Sequence, residues 1–157
     1  MFHRLSSSKR LRKVVILGLI GFPAMTYFDP QLMVPSSAHE VEVSEDVAAT
    51  FHLEPNHNPK AGETAQVWFA LTRRGGAIIP LEQCNCKLAV YAQPRQAEDK
   101  PMITPSLTAI SAEKYQGIPG ANVIFPKAGS YELELSGTPK GNTSFKPFKL
   151  SYSVTVR

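Results

Sequence analysis

The sequence predicts an all-β fold, an antiparallel sandwich of about seven strands behind an N-terminal signal or anchor segment. Three observations predict it. Apolar and polar residues alternate with a period of two in run after run, at roughly ten-residue spacing. Thirteen Pro and ten Gly are spread along the chain, as suits short strands joined by turns. No helical period emerges after the leader. The 157 residues suffice for one domain with a real core. A small barrel is the alternative architecture.

The leader, residues 1–38, has the parts of a secretory signal. Ser8 to Lys13 is basic, and Val14 to Met25 is an apolar run of signal-core length. Ser36 and Ala38 put small residues at −3 and −1 for cleavage after Ala38. An uncleaved anchor is the alternative, although the run is short of the roughly 20 residues a span needs. Either way residues 39–157 are expected outside the cytoplasm, in a periplasm or equivalent lumen, with the basic end inside. Five of the 17 basic residues lie in the leader, against one acid, Asp29. The remainder is balanced at 12 basic and 12 acidic residues, which removes electrostatic support for nucleic-acid binding.

His39 to Asp46 is acidic, with alternating Val41, Val43 and Val47, and reads as an edge strand or a loose arm. Thr50 to Leu53 continues the period, with Phe51 and Leu53 on one face and His52 and Glu54 on the other. Pro55 to Glu63 is a turn by composition. Thr64 to Thr72 is a strong strand, with Val67, Phe69 and Leu71 opposed to Gln66, Trp68 and Ala70. Arg73 to Gly76 is a hairpin-type turn, and Ile78 to Leu81 a short strand stopped by Pro80. Cys84 to Ala92 is a strand whose core face reads Cys84, Cys86, Leu88, Val90. Gln93 to Pro105 is a long polar, Pro-rich loop. Leu107 to Ile110 is a strand, Tyr115 to Gly120 a loop, and Ala121 to Phe125 a strand.

Phe125 to Gly137 organises the rest. Pro126 and Gly129 punctuate a turn, after which Tyr131, Leu133 and Leu135 alternate with Glu132 and Glu134. A Tyr two residues after the turn Gly is how an immunoglobulin-like sandwich enters its late central strand. Its phenol bonds back to the preceding turn, a tyrosine corner. Gly129 and Tyr131 are therefore the structural residues expected. Glu132 and Glu134 are expected on a solvated face. Phe148 to Val156 alternates to the chain end as a closing strand.

Chemistry is sparse. The chain has no G-x-S-x-G, no H-E-x-x-H, no phosphate-binding Gly-rich loop and no dinucleotide fingerprint. The expectation is a protein that is not an enzyme. Its only two cysteines form Cys84-x-Cys86. In an oxidising compartment they would pair as a disulfide. Flat-strand geometry puts i and i+2 about 6.5–7 Å apart, at the limit for a bridge. Two thiolates on one face would also suit Cu(I) or Zn(II) as a half-site, or exchange with a partner thiol. These alternatives stay open at this level.

Cleavage after Ala38 would leave His39 as the first residue, offering α-amine and imidazole to one metal, a chelate that Cu(II) favours. Ala38-His39, Pro59-Lys60-Ala61-Gly62-Glu63 and the Gly-x-Tyr turn together resemble exported immunoglobulin-like copper proteins of the CopC-like and YtkA-like kind. The likeness covers roughly residues 50–157 and is one of style more than motif. It implies a copper ligand at His39 alone. His52 or His57 would add a second imidazole. The Met-rich segment of many copper carriers is missing, Met102 standing alone in a loop. The function expected is thus an exported binding domain for copper, in storage, delivery or resistance, with a metal-delivery partner. An accessory module docking on a membrane protein complex is the alternative, and thiol–disulfide exchange a third. Membrane contact would run through the leader if it is kept.

Overall fold

The computed structural model describes residues 40–157. They form β1 (Glu40–Ser44), β2 (Val47–Glu54), β3 (Thr64–Arg73), β4 (Cys84–Ala92), β5 (Thr108–Ala112), β6 (Tyr115–Ile124), β7 (Gly129–Pro139) and β8 (Phe148–Val156). The only helical element among the described residues is a 3-10 turn at Leu81–Gln83. One sheet has the order β1-β2-β3-β6-β5 and the other β4-β7-β8, all antiparallel. Taking β2 to β8 as A to G, the sheets are A-B-E-D and C-F-G, a constant-type immunoglobulin arrangement. β1 is an extra strand outside A.

The alternation in the sequence explains the core. β2 buries Val47, Ala49, Phe51 and Leu53 and turns the residues between them outward. β8 does the same with Phe148, Leu150, Tyr152, Val154 and Val156. Between the sheets, Phe51 stacks on Phe69 and Tyr152 at 5.4 and 4.7 Å. Each such ring contributes roughly 1.5–3 kcal/mol by burial. Tyr152 also donates its hydroxyl to the Ala49 carbonyl at 3.1 Å, tying one sheet to the other. At the entry to β7, the Tyr131 hydroxyl donates to the Lys127 carbonyl at 2.8 Å, which is the tyrosine corner.

Several local expectations change. Tyr115 to Gly120 is not a loop but the first half of β6, paired to β5. Pro119 falls just past Gly120, the last residue paired to β3, so its missing N–H removes nothing from that ladder. Ile78 contributes only a single bridge to Thr72, and no strand forms before the 3-10 turn. Glu134 is not solvated but 8% exposed. The segment after β4 folds back and lays Arg95 over the Tyr91 ring at 3.9 Å. From there the guanidinium reaches Glu134 at 3.1 Å and Glu132 at 3.2 Å. Lys149 completes the pairing of Glu134 at 3.1 Å.

The outer face of the larger sheet carries a second, smaller core. Trp68, Ala70 and Ile118 are buried there, with Ile110, Ala112 and Tyr115 packed against them. Gly120 is required at this spot, since a Cβ would come within 2.6 Å of the Ile110 side chain. This aromatic platform lies beside β2, whose own outward residues include His52.

Candidate functional site

His52 and His57, five residues apart in sequence, come together at the platform's border. The period of two turns His52 outward from β2, opposite Trp68 of β3. The two rings stack, with centroids 4.8 Å apart and planes inclined by 17°. β1 pairs with β2 only as far as Glu40 opposite Phe51, so the described strand ends one residue short of His52. The chain after β2 turns back over this stretch. His57 N–H donates to the Leu53 carbonyl at 2.8 Å, and Asn58 N–H to the Pro55 carbonyl at 3.0 Å. Asn56 and His57 both adopt left-handed backbone, with φ of 51° and 53°. His and Asn are among the few residues that tolerate it.

The rest of this turn is anchored. Arg157 N–H donates to the Pro59 carbonyl at 3.0 Å, and Ala61 N–H to the Arg157 carbonyl at 2.8 Å. Gly62 N–H donates to the Phe125 carbonyl at 2.8 Å, and the Arg157 guanidinium to the Asn58 side chain. His57 is thereby held edge-on to His52, with ring centroids 4.7 Å apart, and edge-on to Phe51.

The polar geometry is specific. His52 Nε2 lies 2.8 Å from Glu54 Oε1, and His52 Nδ1 lies 3.4 Å from His57 Nε2. A carboxylate only accepts, so a neutral His52 donates from Nε2 and turns the Nδ1 lone pair toward His57. Metal-bound imidazoles are commonly oriented by a carboxylate in this way. Metal–imidazole bonds are about 2.0–2.1 Å, which places two nitrogens about 3.4 Å apart on a tetrahedral ion and about 2.9 Å apart at adjacent positions of the tetragonal ion that Cu(II) prefers. The 3.4 Å separation matches the tetrahedral figure, and the two rings would close by about 0.5 Å to hold Cu(II). Among the described residues, no group of three His, Cys, Asp or Glu side chains is arranged to hold an ion. His39 lies outside the described residues, as do the leader and its cleavage site.

Cys84 and Cys86 are separate from this cluster, on β4 of the other sheet. Their sulfurs are bonded, with Cα atoms 5.1 Å apart. In that state they offer no thiolate to a metal. Cys84 is buried and Cys86 half-buried. Gly137 opposes Cys86 across the ladder, and a Cβ there would meet the Phe148 ring at 2.6 Å and Cys84 Sγ at 2.7 Å. The bare glycine makes room for the bridge.

The sequence pattern alone does not bring Trp68 to the histidine cluster. Glu54 was legible as a same-face neighbour of His52, two residues on. Trp68 depends on the β2–β3 register, for which the sequence offers no local signal. Comparison with protein-family models, with curated proteins and with solved structures finds no match for this chain.

Proposed function

We propose that this domain is an exported, non-catalytic copper-binding module, holding the ion as cargo for storage, delivery or resistance. The observation that carries the reading is the His52–His57 pair, two imidazole nitrogens at 3.4 Å with Glu54 behind one of them. Imidazole donors without thiolate or thioether favour Cu(II) among the divalent ions, since Cu(II) stands highest in the affinity order. His39 is the third ligand of this reading. One peptide bond joins it to Glu40, and Glu40 pairs with Phe51, the neighbour of His52. An α-amine at His39, exposed by cleavage after Ala38, would add a fourth donor. The likeness to CopC-like and YtkA-like exported proteins points the same way.

The test uses the single Trp. Trp68 stacks on His52, so Cu(II) at the pair should quench its fluorescence. Protein purified from its native compartment should have the mass of a chain starting at His39 and take up one equivalent of Cu(II). His52→Ala and His57→Asn should each weaken uptake by ~10-fold or more. Asn tolerates left-handed backbone, so His57→Asn should leave the thermal midpoint within a few degrees. Quenching that neither variant alters would overturn the histidine pair as the site.

A second reading, docking on a membrane protein complex, is favoured by the edge strand β1. Val41 and Val43 stand there 58% and 68% exposed. Co-purification with such a complex, lost in Val41→Lys/Val43→Lys, would support it over the copper reading.

A further inference from the structure

We propose that Cys84–Cys86 is a thiol–disulfide exchange site for a dithiol-bearing polypeptide, with Cys86 the attacked sulfur and Cys84 the leaving thiolate. The bond contributes little to holding the fold. It closes a loop of three residues, and the chain entropy removed from the unfolded state grows with loop length. β4 is already fixed by an unbroken ladder to β7, from Cys84 opposite Pro139 to Ala92 opposite Tyr131.

The two cysteines differ in exposure. Cys84 is 4% exposed, over Gly137 and beside the Phe148 ring. Cys86 is half-buried and lines a groove of about 390 Å³ with Lys87, Leu88, Thr104, Pro105 and Leu107. The groove lies between residues 86–89 of β4 and residues 104–107, with Ser136 of β7 at its side. Further along β4, Val90 N–H donates to the Ile103 carbonyl and Met102 N–H to the Val90 carbonyl, both at 2.8 Å. By the period of two, Cys86 and Leu88 present their backbone groups on the same edge as Val90. A thiol-bearing segment of a partner can thus approach Cys86 through this groove. Lys87 adds a positive charge that favours an incoming thiolate.

The exchange balances without any further reactant. The partner's thiolate attacks Cys86 Sγ, forming a mixed disulfide. The Cys84–Cys86 bond breaks, and its electron pair leaves on Cys84 Sγ, which takes a proton from water. The partner's second thiolate then attacks its own sulfur in the mixed disulfide and expels Cys86 as thiolate. The partner's dithiol is oxidised to a disulfide, and the Cys84–Cys86 pair is reduced.

Dithiothreitol serves as the dithiol probe on the intact protein under native conditions. Reduction should proceed with Trp68 fluorescence unchanged, faster than global unfolding measured separately. Reduction no faster than unfolding would overturn the proposal. Cys84→Ser leaves Cys86, which should form a mixed disulfide with oxidised glutathione. Cys86→Ser leaves Cys84, which should react ~10-fold or more slowly in the folded protein. Equal rates, or a faster Cys84, would overturn the assignment of roles. A thermal midpoint lowered strongly by reduction alone, with both cysteines in place, would show a structural staple instead, and would likewise overturn it.

Discussion

Two residues make the corner on which β7 is founded. Tyr131 is buried against Phe125, with ring centroids 4.9 Å apart, and its hydroxyl returns to the Lys127 carbonyl. Tyr131→Phe keeps the ring and removes the bond, so the domain should lose roughly 0.5–1.5 kcal/mol, read from denaturant midpoints. Gly129 has φ of +148° and nothing within 4 Å of where a Cβ would stand. Gly129→Ala therefore meets no clash but a conformation that side chains rarely adopt, at a cost of about 1 kcal/mol. An unchanged midpoint in either variant would contradict this account. The corner was legible in the sequence because all of its parts lie within five residues. The histidine pair was legible only as two separate candidates. Its meeting depends on left-handed backbone at Asn56 and His57, which no residue spacing announces.

At the scale of elements, the alternating runs placed most strands well, because burial on one face enforces the period. The strand Cys84–Ala92 stands where the sequence put it. The failures were strands whose reason is tertiary. Gly117-Ile118-Pro119-Gly120 has turn composition, yet it is strand because β5 pairs with it and Ile118 fills the outer core. Glu134 was misplaced for a related reason. Nothing near it in sequence reveals that Arg95, 39 residues away, covers it. Arg95 hydrogen-bonds Glu134, faces Glu132 as an ion pair and lies on Tyr91, so it fastens the 93–105 segment to the face of the smaller sheet. Arg95→Lys retains the charge but loses the fork and the stacking. Both Arg95→Lys and Arg95→Ala should speed proteolysis within residues 93–105, Ala more so. Cleavage there at the wild-type rate would show that the segment is held without Arg95, by the bonds of Gln93, Met102 and Ile103.

For the whole molecule, the two-layer architecture follows from packing two amphipathic faces together, and the period of two suffices to specify that much. Which strands share a sheet was not legible, since every strand here offers the same alternation. The tie between sheets is likewise invisible in sequence. Tyr152 of β8 donates to the Ala49 carbonyl of β2, across the core. Burial first, and then the carboxylates of Glu42 and Glu40 on β1, raise this phenol well above its ordinary value. In the folded chain it holds its proton where the unfolded chain has lost it. Its contribution to stability is thus complete below the ordinary phenol range, near pH 10, and is lost as pH rises toward the raised folded value. Over that window each pH unit costs about 1.4 kcal/mol for one proton. Other groups titrate there too, so the informative quantity is a difference. Tyr152→Phe should be roughly 0.5–1.5 kcal/mol less stable at pH 7, from the lost bond to Ala49. Above pH 10 its stability should fall less steeply than that of the wild type, and the gap between them should close. Parallel stability curves through pH 11 would mean that Tyr152 ionises as easily in the folded chain as in the unfolded one, and that it does not seal the two sheets.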